Sequence, residues 1–188
     1  MQIVKYPKEK IILTDVDGCL LDWNTEFHCW MENKGYNKMT NATMIEDQYN
    51  IAVSDVRKFI TEFNNSESIQ HLPVFLDADY YVEKLKMLGY KFICITSIGT
   101  NENIKQNRIK NLQNLFGEKT FLDFVFLATY ADKKEILEKY KNIGKYWVED
   151  NYKQFCIGKE LGLESFYLNN ESNTNTWKQI YGEITKND

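Results

Sequence analysis

The sequence predicts an α/β fold, a three-layer, doubly wound parallel sheet with a small helical insertion, and three observations lead there. Short apolar runs alternate with segments of helical period, which is the pattern of βα units. The runs are apolar at nearly every position, as strands covered on both faces are. One stretch, from about Trp23 to Leu72, breaks the alternation, because its apolar residues recur only at helical spacing. With 188 residues, 43% of them hydrophobic, the chain suffices for one core plus an insertion, and a disordered or fibrous chain is excluded.

The expected strands are Ile11–Thr14, Phe92–Ile95, Phe124–Leu127, Tyr146–Val148 and Ser165–Leu168. After the first of them, Trp23, Phe27, Trp30 and Met31, and then Val56, Phe59, Ile60 and Phe63, mark two amphipathic helices of the insertion. Pro73 is the expected return hinge into the α/β layer. Ala78, Val82 and Leu85 share one helical face that stops at Gly89; Ile104, Arg108, Leu112 and Leu115 repeat the spacing before Gly117. Ile136, Leu137 and Tyr140 make a shorter helix, and Trp177, Ile180 and Tyr181 suit one docked helix in an otherwise polar tail from Asn169.

Charge narrows the function classes. Lys plus Arg total 23 against 27 for Asp plus Glu, so the chain lacks the basic excess that duplex nucleic-acid binders need. No apolar run approaches the ~20 residues of a membrane span, and the start, Met1 to Lys10, has no secretion-signal pattern. The four cysteines, Cys19, Cys29, Cys94 and Cys156, form no C-x-x-C pair, and neither His28 nor His71 has a partner at zinc-ligand spacing. A cytoplasmic protein with no membrane partner is the expectation.

The chemistry concentrates at strand ends. In Leu13-Thr14-Asp15-Val16-Asp17-Gly18-Cys19-Leu20, two carboxylates follow a buried strand, at the carboxyl edge where open α/β sheets bind ligands. Asp15 and Asp17 lie on one side of an extended chain roughly 7 Å apart, and like charges so placed call for a cation or a shared proton. Mg²⁺ is the natural cation. A calcium loop started at Asp15 fails, because Leu20 stands where that loop needs glycine and Cys19 where it needs an oxygen. An acidic turn without chemistry is the remaining alternative for this segment alone, and the other strand ends decide the matter. The second carries Thr96-Ser97, hydroxyls able to bind phosphate oxygens. The third is followed by Asp132-Lys133-Lys134 at a helix start, and the fourth ends in Glu149-Asp150.

This series of acids, hydroxyls, lysine and acids resembles the four motifs of the haloacid dehalogenase superfamily of phosphatases, and covers most of the chain outside the insertion. The resemblance implies a Rossmann-like core of residues 1–22 and 73–188 with a helical cap of residues 23–72. It implies Asp15 as nucleophile forming an aspartyl-phosphate, and Asp17 as general acid and base. It makes Thr96, with Ser97 and Gly18 beside it, a substrate phosphate ligand. Lys133 or its neighbour Lys134 balances the phosphoryl charge, the spacing to Leu137 favouring Lys133. Mg²⁺ is then held by Asp15, Asp150 and the backbone carbonyl of Asp17, with Glu149 acting through water. Cys19 stands where the family has Thr or Val, which places a thiol near the nucleophile.

The implied substrate is a small soluble phosphate ester. Asp15-Val16-Asp17-Gly18, an aromatic-rich helix and Ile95-Thr96-Ser97-Ile98 resemble the 5'(3')-deoxyribonucleotidase branch, whereas Glu149-Asp150 is closer in wording to phosphomutases and sugar phosphatases. The aromatic set Trp23, Phe27 and Trp30 suits the interior of a cap, with stacking on a base as the alternative. A phosphomutase and a non-catalytic module binding a phospholigand or a protein remain open at the level of sequence.

Overall fold

The computed structural model describes residues 6–42, 44–168 and 176–186, so the first five residues and the polar stretch 169–175 fall outside it. Five strands, β1 (Ile11–Thr14), β2 (Lys91–Thr96), β3 (Phe121–Phe126), β4 (Tyr146–Glu149) and β5 (Glu164–Tyr167), pair in parallel in the order β3-β2-β1-β4-β5. β1 is central, with Thr14 opposite Cys94 on one side and Val148 on the other.

The helices are α1 (Trp23–Asn33), α2 (Ile45–Tyr49), α3 (Val53–Asn64), α4 (Ala78–Met87), α5 (Glu102–Phe116), α6 (Lys134–Tyr140), α7 (Tyr152–Glu160) and α8 (Trp177–Ile184). Successive strand residues point to opposite faces, and the core divides accordingly. Ile12, Phe92, Cys94, Tyr146 and Val148 pack with residues of α4, α5 and α8. Ile11, Leu13, Ile93, Ile95 and Trp147 pack with Leu137 of α6 and Ile157 of α7. The three layers follow from this alternation. The aromatic faces of α1 and α3 belong to the first of these clusters, with Trp23 stacked on Phe27 at 4.7 Å and both buried. The chain leaves and re-enters the α/β layer side by side: Asp22 N–H donates to the Pro73 carbonyl at 2.9 Å, and Leu21 bridges to Val74.

Four elements depart from the sequence expectation, the first being α2, a single short helix between the two expected in the insertion. β3 starts at Phe121, three residues early, because it is an edge strand whose Leu122 and Asp123 face solvent, which breaks its apolar run. Phe116 rather than Leu115 closes the buried face of α5, and Leu115 is exposed. Helix α7 carries no helical apolar period, since Phe155, Cys156 and Ile157 are consecutive and Gly158 follows. It forms because the Asn151 side chain caps it, accepting from the Lys153 and Gln154 amides, and because Gly158 lets it lie close against the sheet. A Cβ at 158 would stand 2.3 Å from Trp147 Cδ1 and 2.7 Å from Ser165 Oγ. Gly158→Ala should therefore cost about 1–3 kcal/mol by overpacking, despite the better helix propensity of alanine. Denaturant unfolding checks this, and an unchanged or raised midpoint contradicts it.

Candidate active site

The carboxyl edge of β1 is set by its neighbours. The ladder runs one residue past the strand, with Asp15 N–H donating to the Val148 carbonyl at 2.9 Å, so the Asp15 carboxyl emerges beside the end of β4. The chain then winds tightly, the amides of Cys19, Leu20 and Leu21 all reaching the Val16 carbonyl. Trp177 of α8, fully buried, donates its indole N–H to the Cys19 carbonyl at 2.7 Å and holds this loop from behind.

The loop requires Gly18. Its φ of +74° suits glycine, and a Cβ there would fall 2.1 Å from Asp150 Oδ2. The Asp150 carboxyl thus rests on the Gly18 backbone. Single carboxylate oxygens of Asp15, Glu149 and Asp150 come within 4.8 Å of one another. Lys133 enters this cluster with its Nζ 2.6 Å from Asp15 Oδ2 and 2.8 Å from Glu149 Oε2, and only 3% of the residue is exposed. Lys134 is exposed and turned away, so Lys133 is the lysine brought to the carboxylates. Lys133 is itself held by its backbone N–H, which donates to Gln154 Oε1 on α7 at 3.1 Å.

Electrostatics follow from burial of like charges. Burial, and then the charge on Asp15, push Asp150 up to about 7, and burial raises Glu149 well above the usual carboxylate range although Lys133 opposes it. Burial alone would lower Lys133; Asp15 and Glu149 outweigh it and hold the ammonium above its ordinary value. Were all three acids ionised, one lysine would leave two negative charges uncompensated, and the raised values of Glu149 and Asp150 follow from burial together with that excess. The donor set is all hard oxygen, the Glu149 oxygens are already engaged by Lys133 and the Asn151 amide, and no protein donor reaches Asp150 except its acidic neighbour Glu149 among the contacts of the described residues. These residues fit a Mg²⁺ ion.

Asp17 does not join the three-carboxylate cluster through its side chain; its carboxyl pairs with Arg108 of α5 while still lining the cleft. Thr96, buried at the end of β2, and Ser97 line the same cleft as Asp15 and Asp17, and Ser97 Oγ donates to the Ala131 carbonyl at 3.0 Å. The cleft measures about 790 Å³. It is also lined by Met44, Ile45, Glu46, Val53, Val56 and Arg57 of the insertion and by Tyr130. Trp23, Phe27 and Trp30 do not line it; they pack among themselves and against Phe63. Tyr130 was invisible to sequence reasoning, since nothing in Thr129-Tyr130-Ala131 signals its φ of +63°.

No family model matches the chain. It is 28% identical over 138 residues to a 32.4 kDa protein of Enterobacteria phage T4 from the Gp30-rIII intergenic region, matching 69% of this chain and 49% of that protein. The chain therefore spans about half the length of the curated relative it matches. Among solved structures it resembles a predicted phosphatase from Clostridium acetobutylicum, with a TM-score of 0.64, 13% identity and coverage of 94% of this chain and 98% of that one. A HAD-superfamily hydrolase from Ehrlichia chaffeensis aligns with a TM-score of 0.53 and 12% identity, over 96% of this chain and 98% of that one. A hydrolase from Streptococcus pneumoniae TIGR4 gives a TM-score of 0.54 at 15% identity, over 85% and 92%. With the sheet order and the two-faced core described above, these likenesses establish that the chain has the haloacid dehalogenase-like fold.

Proposed function

We propose that the chain is a Mg²⁺-dependent phosphomonoester hydrolase working through an aspartyl-phosphate. The observation that carries this is the Asp15, Glu149 and Asp150 cluster around buried Lys133 at the floor of a cleft. Asp15, Asp150 and the Asp17 backbone carbonyl would hold the ion, with Glu149 acting through water. Bound there, Mg²⁺ would neutralise and orient the phosphoryl group.

In the first step an Asp15 carboxylate oxygen bonds to phosphorus as the ester P–O bond breaks, and Asp17 gives a proton to the departing alkoxide. In the second, water attacks phosphorus, Asp17 takes its proton, and Asp15 leaves as carboxylate. Lys133 offsets charge on Asp15 and the phosphoryl oxygens, and the Thr96 and Ser97 hydroxyls orient them. Burial, against the pull of Arg108, pushes Asp17 up to about 6, which suits a group that must both give and take a proton near neutrality.

The helical segment 23–72, as a cap, would roof the cleft with Met44, Ile45 and Val53. An aromatic ring at Tyr130 and the apolar side chains Met44, Ile45, Val53 and Val56 in the cleft lining favour a leaving group with a flat body, a (deoxy)nucleoside monophosphate rather than a bare sugar phosphate. Free cysteines at 19, 29, 94 and 156 suit a reducing cytoplasm.

The test is inorganic phosphate release from nucleoside monophosphates, deoxynucleotides, sugar phosphates and an aryl phosphate, with Mg²⁺ or with a chelator. Release is expected only with Mg²⁺ and fastest from nucleotides. Because protons compete with the cation for Asp150, the Mg²⁺ concentration for half activity should fall as pH rises toward about 7. No release from any ester overturns the reading in favour of a binding module, and isomerisation of a sugar phosphate without net phosphate release, seen only with a bisphosphate activator, points to a mutase.

A further inference from the structure

We infer that Arg108 is a positioning residue that holds the Asp17 carboxyl in one orientation toward the cleft. Its place in the sequence is anomalous: Ile104, Arg108 and Leu112 form the inward face of α5, where an aliphatic residue would pack without an ionic partner. Arg108 is fully buried, and its guanidinium meets Asp17 twice, Nη1 to Oδ1 at 2.7 Å and Nη2 to Oδ2 at 3.2 Å. Of the two contacts only Nη2–H to Oδ2 is a hydrogen bond; Nη1 and Oδ1 meet as an ion pair, and Asp17 Oδ1, Arg108 Nη1 and Arg108 Nε are buried with no hydrogen-bond partner among the described residues. A buried guanidinium with this single carboxylate is costly unless the pair is kept together.

The geometry says what the pair does. A planar guanidinium that hydrogen-bonds one carboxylate oxygen and lies in ionic contact with the other restricts rotation of the carboxyl, which a point-charge ammonium would not. Asp17 keeps 21% of its side chain exposed and lines the cleft, so the guanidinium backs one side of the carboxyl while the other side meets the ester. On the hydrolase reading, on which this inference rests, Asp17 must present one oxygen first to the leaving group and then to water, and a carboxyl free to rotate would often be misaligned. Arg108 touches neither substrate nor phosphate and acts only through Asp17.

The experiment compares kcat/KM for an alkyl phosphate, whose leaving group needs a proton, with that for p-nitrophenyl phosphate, whose leaving group departs without one. Because kcat/KM reports transfer to Asp15 alone, water attack does not enter. Arg108→Lys, which keeps the charge and loses the fork, should lose about 10-fold or more on the alkyl ester and less than about 3-fold on the aryl ester, in the same sense as Asp17→Asn. An equal loss on both esters marks a merely structural residue and overturns the inference, as does no loss on either. If the wild-type protein hydrolyses neither ester, the hydrolase reading itself falls and the positioning role with it, an outcome distinct from the former two because there the wild type is active. Should the variant not fold, the wild type still decides: with Arg57 and Arg108 as the two arginines, side-chain ¹⁵N NMR should show one guanidinium with restricted rotation and one averaged. Two freely averaged guanidinium groups overturn the lock.

Discussion

Asp15→Asn should abolish phosphate release, by more than about 10³-fold in kcat, while leaving the protein folded. The amide cannot form the acyl phosphate, so the loss concerns a bond rather than a contact. Stability should change little. The substitution removes one of three clustered like charges, and Lys133 keeps Glu149 at 2.8 Å as its partner. Acid-quenched wild-type protein incubated with substrate should carry one phosphoryl group on the peptide containing Asp15, and the variant none. Retention of more than about a tenth of the wild-type rate by the folded variant would move the nucleophile elsewhere.

Much of this site was legible because strand ends are local in sequence. β1 ends at Thr14 as expected, and Asp15, Thr96 and Glu149 stand at or directly after the ends of their strands, where short apolar runs announce them. Of two adjacent lysines the spacing to Leu137 favoured Lys133, and Lys133, the residue capping α6, is buried while Lys134 is exposed, because the first turn rotates one of them outward. Arg108 entered the sequence reading only as one position of a helical face, and its meaning depends on a carboxylate 91 residues away, a distance that no pattern within a helix encodes. Tyr130 likewise reaches the cleft through a left-handed backbone that only the packed loop imposes. Helix α7 escaped notice because its stability comes from an asparagine cap and a glycine pressed on Trp147, not from periodicity.

Lys133→Met should be the most destabilising single change at the site. The ammonium is 4% exposed at its side chain and bridges two carboxylates; without it, Asp15, Glu149 and Asp150 share a buried space with no counter-charge in contact among the described residues. Leaving such charges unpaired costs about 3–5 kcal/mol, which in a chain of this size lowers Tm by roughly 6–20 °C. The sign with pH is fixed by the direction of the shifts. Asp150, already raised to about 7, and Glu149, raised well above the usual carboxylate range, bind protons more tightly folded than unfolded, so the Asp150 contribution is present below about pH 4 and fades as pH rises through about 7, and that of Glu149 runs in the same direction. Removing the lysine raises both groups again, and the variant should therefore lose most against wild type above about pH 7 and little near pH 5. Added Mg²⁺ should restore much of the difference in Tm, since a divalent ion supplies the missing charge, but not the activity, because the ammonium that meets the phosphoryl oxygens is gone. Thermal unfolding across pH, with and without Mg²⁺, separates these contributions. A loss that is independent of pH and of Mg²⁺ would mean that Lys133 stabilises by packing alone.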